Sequence, residues 1–203
     1  MKWILSLLLM LSLWPLQVQA QPQSVKPGDP FIIINKANNK LAFIDDNEVK
    51  EILPVGTGKS QELTPEGIFT VKVKAVNPYF RKKNIPGGDS RNPLGSRWIG
   101  FDARNTDGRI YGIHGTNQPS SIGIYISNGC VRMHKSDVER LYEKVPIGTK
   151  VLITLSNEDF KTLAKKKRSD KIKRGKLFAP LPNTVSITKE MRYLIISSLI
   201  TLR

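Results

Sequence analysis

The sequence predicts a mainly β domain with a helix close to a lone thiol. Three observations point there. Short β-branched and apolar runs, separated by Asn, Gly and Pro turns, fill residues 31–113. One helical pattern and one closing apolar run follow. Both histidines and the single cysteine of the chain fall within residues 111–134.

The elements follow in order. Phe31-Ile32-Ile33-Ile34 and Leu41-Ala42-Phe43-Ile44 flank an Asn38-Asn39 turn signal, the pattern of a hairpin. Residues 49–55 make a further strand. Residues 68–73 alternate Ile68, Thr70 and Lys72 with Phe69, Val71 and Val73, as a half-buried strand does. Residues 76–95 are broken by Asn77-Pro78, Pro86-Gly87-Gly88 and Asn92-Pro93. A loop of that length in a small domain suits a lid or a binding rim. Residues 98–101 and 109–113 are strands around a turn at 105–108. Ser136-Asp137-Val138-Glu139 has the form of a capping box, opening a helix with Val138, Leu141 and Tyr142 inward. Pro146 and Gly148 end it, and residues 150–155 close the β structure. Ser156 or Asn157 is placed to cap a second short helix running into the basic cluster at 165–168.

Gly58-Lys59-Ser60 imitates the end of a phosphate-binding loop. That motif needs a glycine where this chain has Leu53, and a helix where it has Pro65 and a strand. Nucleotide binding is therefore set aside.

The net charge of +15 is unevenly spread. Residues 161–203 hold 12 Lys and Arg against Asp170 and Glu190, while residues 21–160 hold 19 against 15 acids. The basicity belongs to the tail, and the predicted domain is only mildly basic. Low aromatic content and Pro180 and Pro182 predict a disordered tail at 161–203. Its basic run lacks interleaved aromatics, so no specific nucleic-acid partner is expected. An anionic wall or membrane surface is the expected partner of such a run.

Residues 1–20 have the form of a secretory signal peptide. Lys2 supplies the positive start, residues 4–13 are apolar, and Val18-Gln19-Ala20 offers small residues for cleavage. The run is short against the roughly 20 residues of a spanning helix. An extracytoplasmic location follows as an expectation. Disulfides are permitted there, yet one cysteine forms no internal bridge, and its presence calls for another explanation.

A thiol becomes a strong nucleophile when a base removes its proton or a positive environment lowers its pKa. His114 lies at the end of a predicted strand, before Gly115. His134 lies near a helix start, the position of a surface residue. Gly129 lets the chain turn tightly before Cys130, so the amides of Gly129 and Cys130 are candidate oxyanion donors. Arg132 shares the thiol's face if the chain is extended there, and a guanidinium can hold a carboxylate. A Cys–His acyl-transfer site is the reading that the residues favour over a buried inert cysteine.

His114-Gly115-Thr116 followed by Ser127-Asn128-Gly129-Cys130-Val131-Arg132 resembles the signature of the L,D-transpeptidases of bacterial cell walls, the YkuD-type domain. The likeness includes Pro54-Val55-Gly56-Thr57-Gly58, Thr64-Pro65-Glu66-Gly67 and Asn92-Pro93-Leu94-Gly95. It places the catalytic domain at 29–155. It implies a mainly β, mixed-strand β-sandwich with one helix packed near the catalytic cysteine. By the same resemblance Cys130 is the nucleophile and His114 the proton donor and acceptor, oriented by the Gly115 carbonyl. Arg132 corresponds to the family's arginine beside the nucleophile. Tyr111, Thr116, Ser127 and Asn128 are further candidates for substrate binding; Tyr111 suits packing equally, Thr116 and Ser127 suit finishing turns equally, and Asn128 suits shaping the turn. The family motif often has histidine where this chain has Asn128, which favours His114 as the base.

The implied substrate is a peptidoglycan tetrapeptide stem. D-alanine leaves, a thioester remains, and an amine of a neighbouring stem gives a 3→3 cross-link. No cofactor and no metal is implied, and a monomer is expected. Two readings stay beside it: L,D-carboxypeptidase activity, with water as acceptor, and a non-catalytic peptidoglycan-binding module.

Overall fold

The computed structural model describes residues 29–166. Residues 1–28, with the expected signal peptide, and residues 167–203, most of the expected tail, lie outside the described residues.

The domain is mainly β. Ten strands run in chain order: β1 Phe31–Asn35, β2 Lys40–Asp45, β3 Glu48–Pro54, β4 Thr57–Gly58, β5 Gly67–Val76, β6 Arg97–Phe101, β7 Tyr111–His114, β8 Tyr125–Ser127, β9 Val131–Arg132 and β10 Lys150–Thr154. Eight form one mixed sheet in the order β3-β2-β1-β10-β5-β6-β7-β9, and β4 and β8 form a parallel pair. β1 lies parallel to β10, with Phe31 opposite Lys150.

Strand β5 gives the sheet its layers. Gly67–Thr70 pairs with β10, whereas Val71–Val76 pairs with β6, and the register shifts between Val71 and Val73. A bulge of this kind bends a strand and raises its twist. The two halves thereby curl over a shared core. Ile32, Ile34, Leu41 and Phe43 from one half meet Ile99, Phe101, Ile113 and Val131 from the other. This is the sandwich-like packing that the resemblance implied.

Helix α1, Lys135–Lys144, adds Val138 and Leu141 to that core. Its N-cap is His134, with no side-chain cap bond. The Ser136–Glu139 capping box is therefore not formed, because the helix already starts at Lys135 and Ser136 lies inside its first turn. Asp137 in the first turn and Lys144 in the last complement the helix dipole.

A second core lies on the other face of β1, β2 and β10. Phe31, Ile33, Ala42, Ile44 and Leu152 are covered there by Phe160, Leu163 and Ala164. The last three belong to a second helix, α2, seen over residues 160–166. Its N-cap is Asp159, whose carboxylate accepts the Thr162 amide at 2.9 Å. Ser156 instead accepts the Glu158 amide at 3.1 Å, one turn too early to cap the helix. Residues 161–166, expected in the tail, are thus helical and packed on the domain. Burial on both faces explains why β1 is buried at every position.

Candidate active site

Three neighbouring strands assemble the site. In β6 and β7, Trp98 pairs with His114, and Gly100 with Gly112. In β7 and β9, which run parallel, Ile113 lies beside Val131 and His114 beside Arg132. Cys130 immediately precedes β9, so continuing the register sets it opposite Gly112, two residues before His114 and on the same face of β7. The Met133 amide donates to the His114 carbonyl at 2.9 Å and fixes that register.

His114 is 4 % exposed. Its Nδ1 lies 2.5 Å from the Gly115 carbonyl oxygen. A neutral ring donating from Nδ1 leaves Nε2 as the basic nitrogen. Burial lowers its pKa to about 4; the Arg132 charge adds to the drop, and the Gly115 and Leu94 carbonyls oppose it. Trp98 stacks on the ring with centroids 5.6 Å apart and 16° between planes. The indole is itself fixed by a bond from Nε1 to the Gly108 carbonyl at 2.9 Å. It lies flat over β7 because Gly112 carries no side chain: a Cβ there would sit 2.7 Å from the indole.

Cys130 is free and half-buried. Its thiol donates to the Ile110 carbonyl at 3.4 Å. Burial pushes its pKa up to about 11, against the Gly112 amide and the positive charges of Arg132 and Lys82, which favour the thiolate. The described pair is thus a neutral thiol and a neutral imidazole.

The turn before Cys130 is braced from within. The Ser127 hydroxyl donates to the Cys130 carbonyl at 2.6 Å and accepts the Gly129 amide at 3.0 Å. Gly129 has φ +129°, and a Cβ there would lie 2.5 Å from the Leu63 carbonyl oxygen. Only glycine fits that turn. The Thr64 hydroxyl donates to the Gly129 carbonyl at 3.0 Å and accepts the Gly58 amide at 2.9 Å. Arg132 is bracketed by two backbone bonds with Gly56, and its guanidinium reaches the Gln118 side chain at 3.4 Å.

Several expected roles change. Ser127 is buried and both its bonds lie within the turn, so it shapes the turn before Cys130. The Gly129 amide is taken by Ser127, which removes it from the expected oxyanion pair and leaves the Cys130 amide. Thr116 closes its own turn by accepting the Gln118 amide at 3.0 Å. Asn128 is exposed on the outside of the turn. Tyr111 is half-buried against the main core, its ring edge close to Gly129 and its face under Arg104. His134 stands at the α1 N-cap. Trp98 and Thr64 were not foreseen as site residues. Their signals were the paired glycines at 100 and 112 and the threonine of the Thr-Pro-Glu-Gly turn.

Comparison with known proteins identifies the family. The model of the YkuD family, the L,D-transpeptidase catalytic domain, matches residues 29–153. YqjB of Bacillus subtilis (strain 168), named as an L,D-transpeptidase, is 54% identical over 163 residues, 80% of this chain and 90% of that protein. YkuD of the same organism, named likewise, is 41% identical over 136 residues, 64% of this chain and 73% of that one. The solved Ldtfm–avibactam carbamoyl enzyme aligns with a TM-score of 0.51 at 25% identity, over 64% of this chain and 50% of its own. A cysteine-to-serine mutant of the Enterococcus faecium L,D-transpeptidase aligns at 0.50 and 21% identity, again over 50% of its length, and shares the fold. The present chain therefore spans about half the length of these two solved chains. On the match across residues 29–153 and the identity to YqjB, the chain belongs to the YkuD family of L,D-transpeptidase catalytic domains, a family of enzymes.

Proposed function

We propose that the chain is an exported peptidoglycan L,D-transpeptidase that forms 3→3 cross-links through a Cys130 thioester. The observation that carries the reading is the pairing of β7 with β9. It places the lone thiol opposite Gly112, on the same face of the sheet as a histidine two residues on, whose Nδ1 is occupied by the Gly115 carbonyl and whose Nε2 is left basic.

The chemistry follows from a neutral pair. Neither group is charged near neutral pH, so ionisation accompanies attack. As Sγ of Cys130 bonds to the stem carbonyl carbon, His114 takes the thiol proton. The Cys130 amide donates to the oxyanion, and the Arg132 charge favours it. Collapse breaks the bond to D-alanine, whose nitrogen takes the proton from His114. The amine of a second stem then attacks the thioester and gives its proton to His114; the C–S bond breaks, and the departing Cys130 thiolate takes that proton back from His114. Burial makes unaided charge separation costly, so proton transfer in step with attack is the favoured route.

Residues 1–20 deliver the chain outside the cytoplasm in this reading, and the basic run beyond 166 holds it to anionic wall polymers. Among the described residues no helix is long and apolar enough to cross a membrane.

The test is mass spectrometry of muropeptides after incubation with purified protein, with intact-protein mass spectra of a β-lactam adduct. Wild type should yield 3→3 cross-linked dimers and an adduct on Cys130. Cys130→Ala should yield neither. His114→Ala should slow acylation by roughly 10² to 10⁴, and His134→Ala should change it little. Cross-linking by Cys130→Ala at the wild-type rate overturns the reading.

A further inference from the structure

We propose that Lys36 is a positioning residue for Cys130, holding the nucleophile turn from two sides. The inference rests on the acyl-transfer reading above and adds a residue that the chemistry itself does not touch.

Lys36 follows β1, and its side chain is 3% exposed. Lysines are almost never this buried unless paired. Its Nζ donates to the Gln61 carbonyl at 2.7 Å and the Thr64 carbonyl at 3.1 Å, and pairs with the Glu66 carboxylate at 3.1 Å. An ammonium has three donors, and here each has an acceptor. All three acceptors lie on one loop, residues 61–66. The Lys36 backbone is fixed as well: its amide donates to the Thr154 carbonyl at 2.8 Å, and its carbonyl accepts the Tyr125 hydroxyl at 2.6 Å.

That loop is the wall behind the nucleophile. Its Thr64 hydroxyl clamps the Gly129 carbonyl, and its Leu63 carbonyl fills the space a Gly129 side chain would take. Arg104 supports the loop from outside, donating to the Glu62 carbonyl at 2.7 Å. Tyr125 begins β8, the strand that leads into the Ser127–Cys130 turn. Lys36 thus reaches Gly129 through Thr64 on one flank and through Tyr125 on the other. Without the ammonium, the Gln61 and Thr64 carbonyls and the Glu66 carboxylate lose their common donor. The loop then keeps the Thr64 hydroxyl bonds and the Arg104 support but loses its buried anchor behind Gly129. A nucleophile displaced by about 1 Å costs on the order of 10²-fold in rate.

The experiment uses the full chain with Lys36→Met, Lys36→Gln, Thr64→Val and the Lys36→Met/Thr64→Val pair. Thermal melts report folding. Acylation by a β-lactam gives the rate constant separately from the binding constant. Alkylation of Cys130 by iodoacetamide across pH reports the thiol itself. The folded Lys36 variants should acylate at least about tenfold more slowly, with binding changed by less than about threefold. Their thiol should alkylate faster near neutral pH, with a midpoint moved down from about 11 as water reaches it. Thr64→Val should shift both readouts in the same direction. The double variant should be no slower than the slower single, because both act on one contact.

Unchanged acylation in a folded Lys36 variant, or losses that multiply in the double variant, overturns the proposal. So does failure of both Lys36 variants to fold, which would make the lysine a requirement of the fold alone. If wild type itself fails to acylate, the acyl-transfer reading falls, and the alkylation profiles still decide whether Lys36 positions the thiol.

Discussion

Trp98 lies nearly flat on His114, on the adjacent strand, and is itself only 7% exposed. The indole is therefore a dry wall for the base. Trp98→Phe keeps a ring over the imidazole but loses the bond to the Gly108 carbonyl. It should cost roughly 1–3 kcal/mol in chemical denaturation, from the lost bond and the smaller ring. Trp98→Ala should let water reach the ring and raise the His114 pKa from about 4, which NMR titration of the imidazole would read.

The two shifted groups make stability depend on pH in opposite senses. The His114 pKa is lower folded than unfolded, so the unfolded chain takes up the proton first as pH falls. Stability should drop from about pH 6.5 down through about pH 4. The full effect is on the order of 3 kcal/mol. Cys130 is raised to about 11, so above its ordinary value the unfolded thiol ionises first, and stability should fall as pH rises through that window. Denaturation of wild type against His114→Asn and Cys130→Ala at several pH values isolates each contribution. A flat difference across both windows would contradict the burial argument.

The nucleophile turn separates shape from contact. Ser127→Ala removes two internal bonds and should lower stability by about 1–3 kcal/mol while slowing acylation. Asn128→Ala, on the exposed side of the same turn, should change both little. Gly129→Ala forces a Cβ against the Leu63 carbonyl in a left-handed conformation and should suppress acylation nearly completely. Melting curves and adduct formation for the three variants check the order.

Helix α2 sets where the chain can be cut. Truncation after Ser156 removes Phe160, Leu163 and Ala164 and uncovers Ile33, Ile44 and Leu152. Burying a Phe or Leu side chain contributes about 1.5–3 kcal/mol, so this truncation should lower stability by roughly 4 kcal/mol. Truncation after Lys166 keeps the cover. It should leave activity on small stem peptides near normal while weakening retention on intact walls, and added salt should mimic that loss in the full chain.

Much of this was legible in the sequence where the signal is local. The hairpin of β1 and β2 follows from two apolar runs around Asn38-Asn39, and the α1 interior follows from the spacing of Val138, Leu141 and Tyr142. Cys130 and His114 stood out because the chain offers one thiol and two imidazoles. What stayed hidden depends on distant partners. Strands β4, β8 and β9 are two or three residues long, and partners far along the chain define them. Ser127 and the Gly129 amide looked available to a ligand, because sequence does not say that they bond to each other. Lys36 carries no sequence signal beyond a lysine that follows an apolar run. Its burial depends on the fold of a loop 25 to 30 residues further on. The capping box failed at Ser136 because the pairing of β7 with β9 sets where the chain leaves the sheet.

The parallel pairing of β1 with β10 has a consequence for how the molecule comes into being. Asn35 and Ser156 bond to one another across 121 positions of chain. The first strand therefore has one of its two neighbours only when nearly the whole domain is present. Closing so long a loop before its contacts reward it makes folding slow. A chain synthesised or threaded N-terminus first stays pliable until its last strand and α2 arrive, then closes around the middle of its own sheet. Until that moment Phe31–Asn35 offers an apolar strand with a bare edge. The interval between emergence and closure is when this protein is most exposed to self-association.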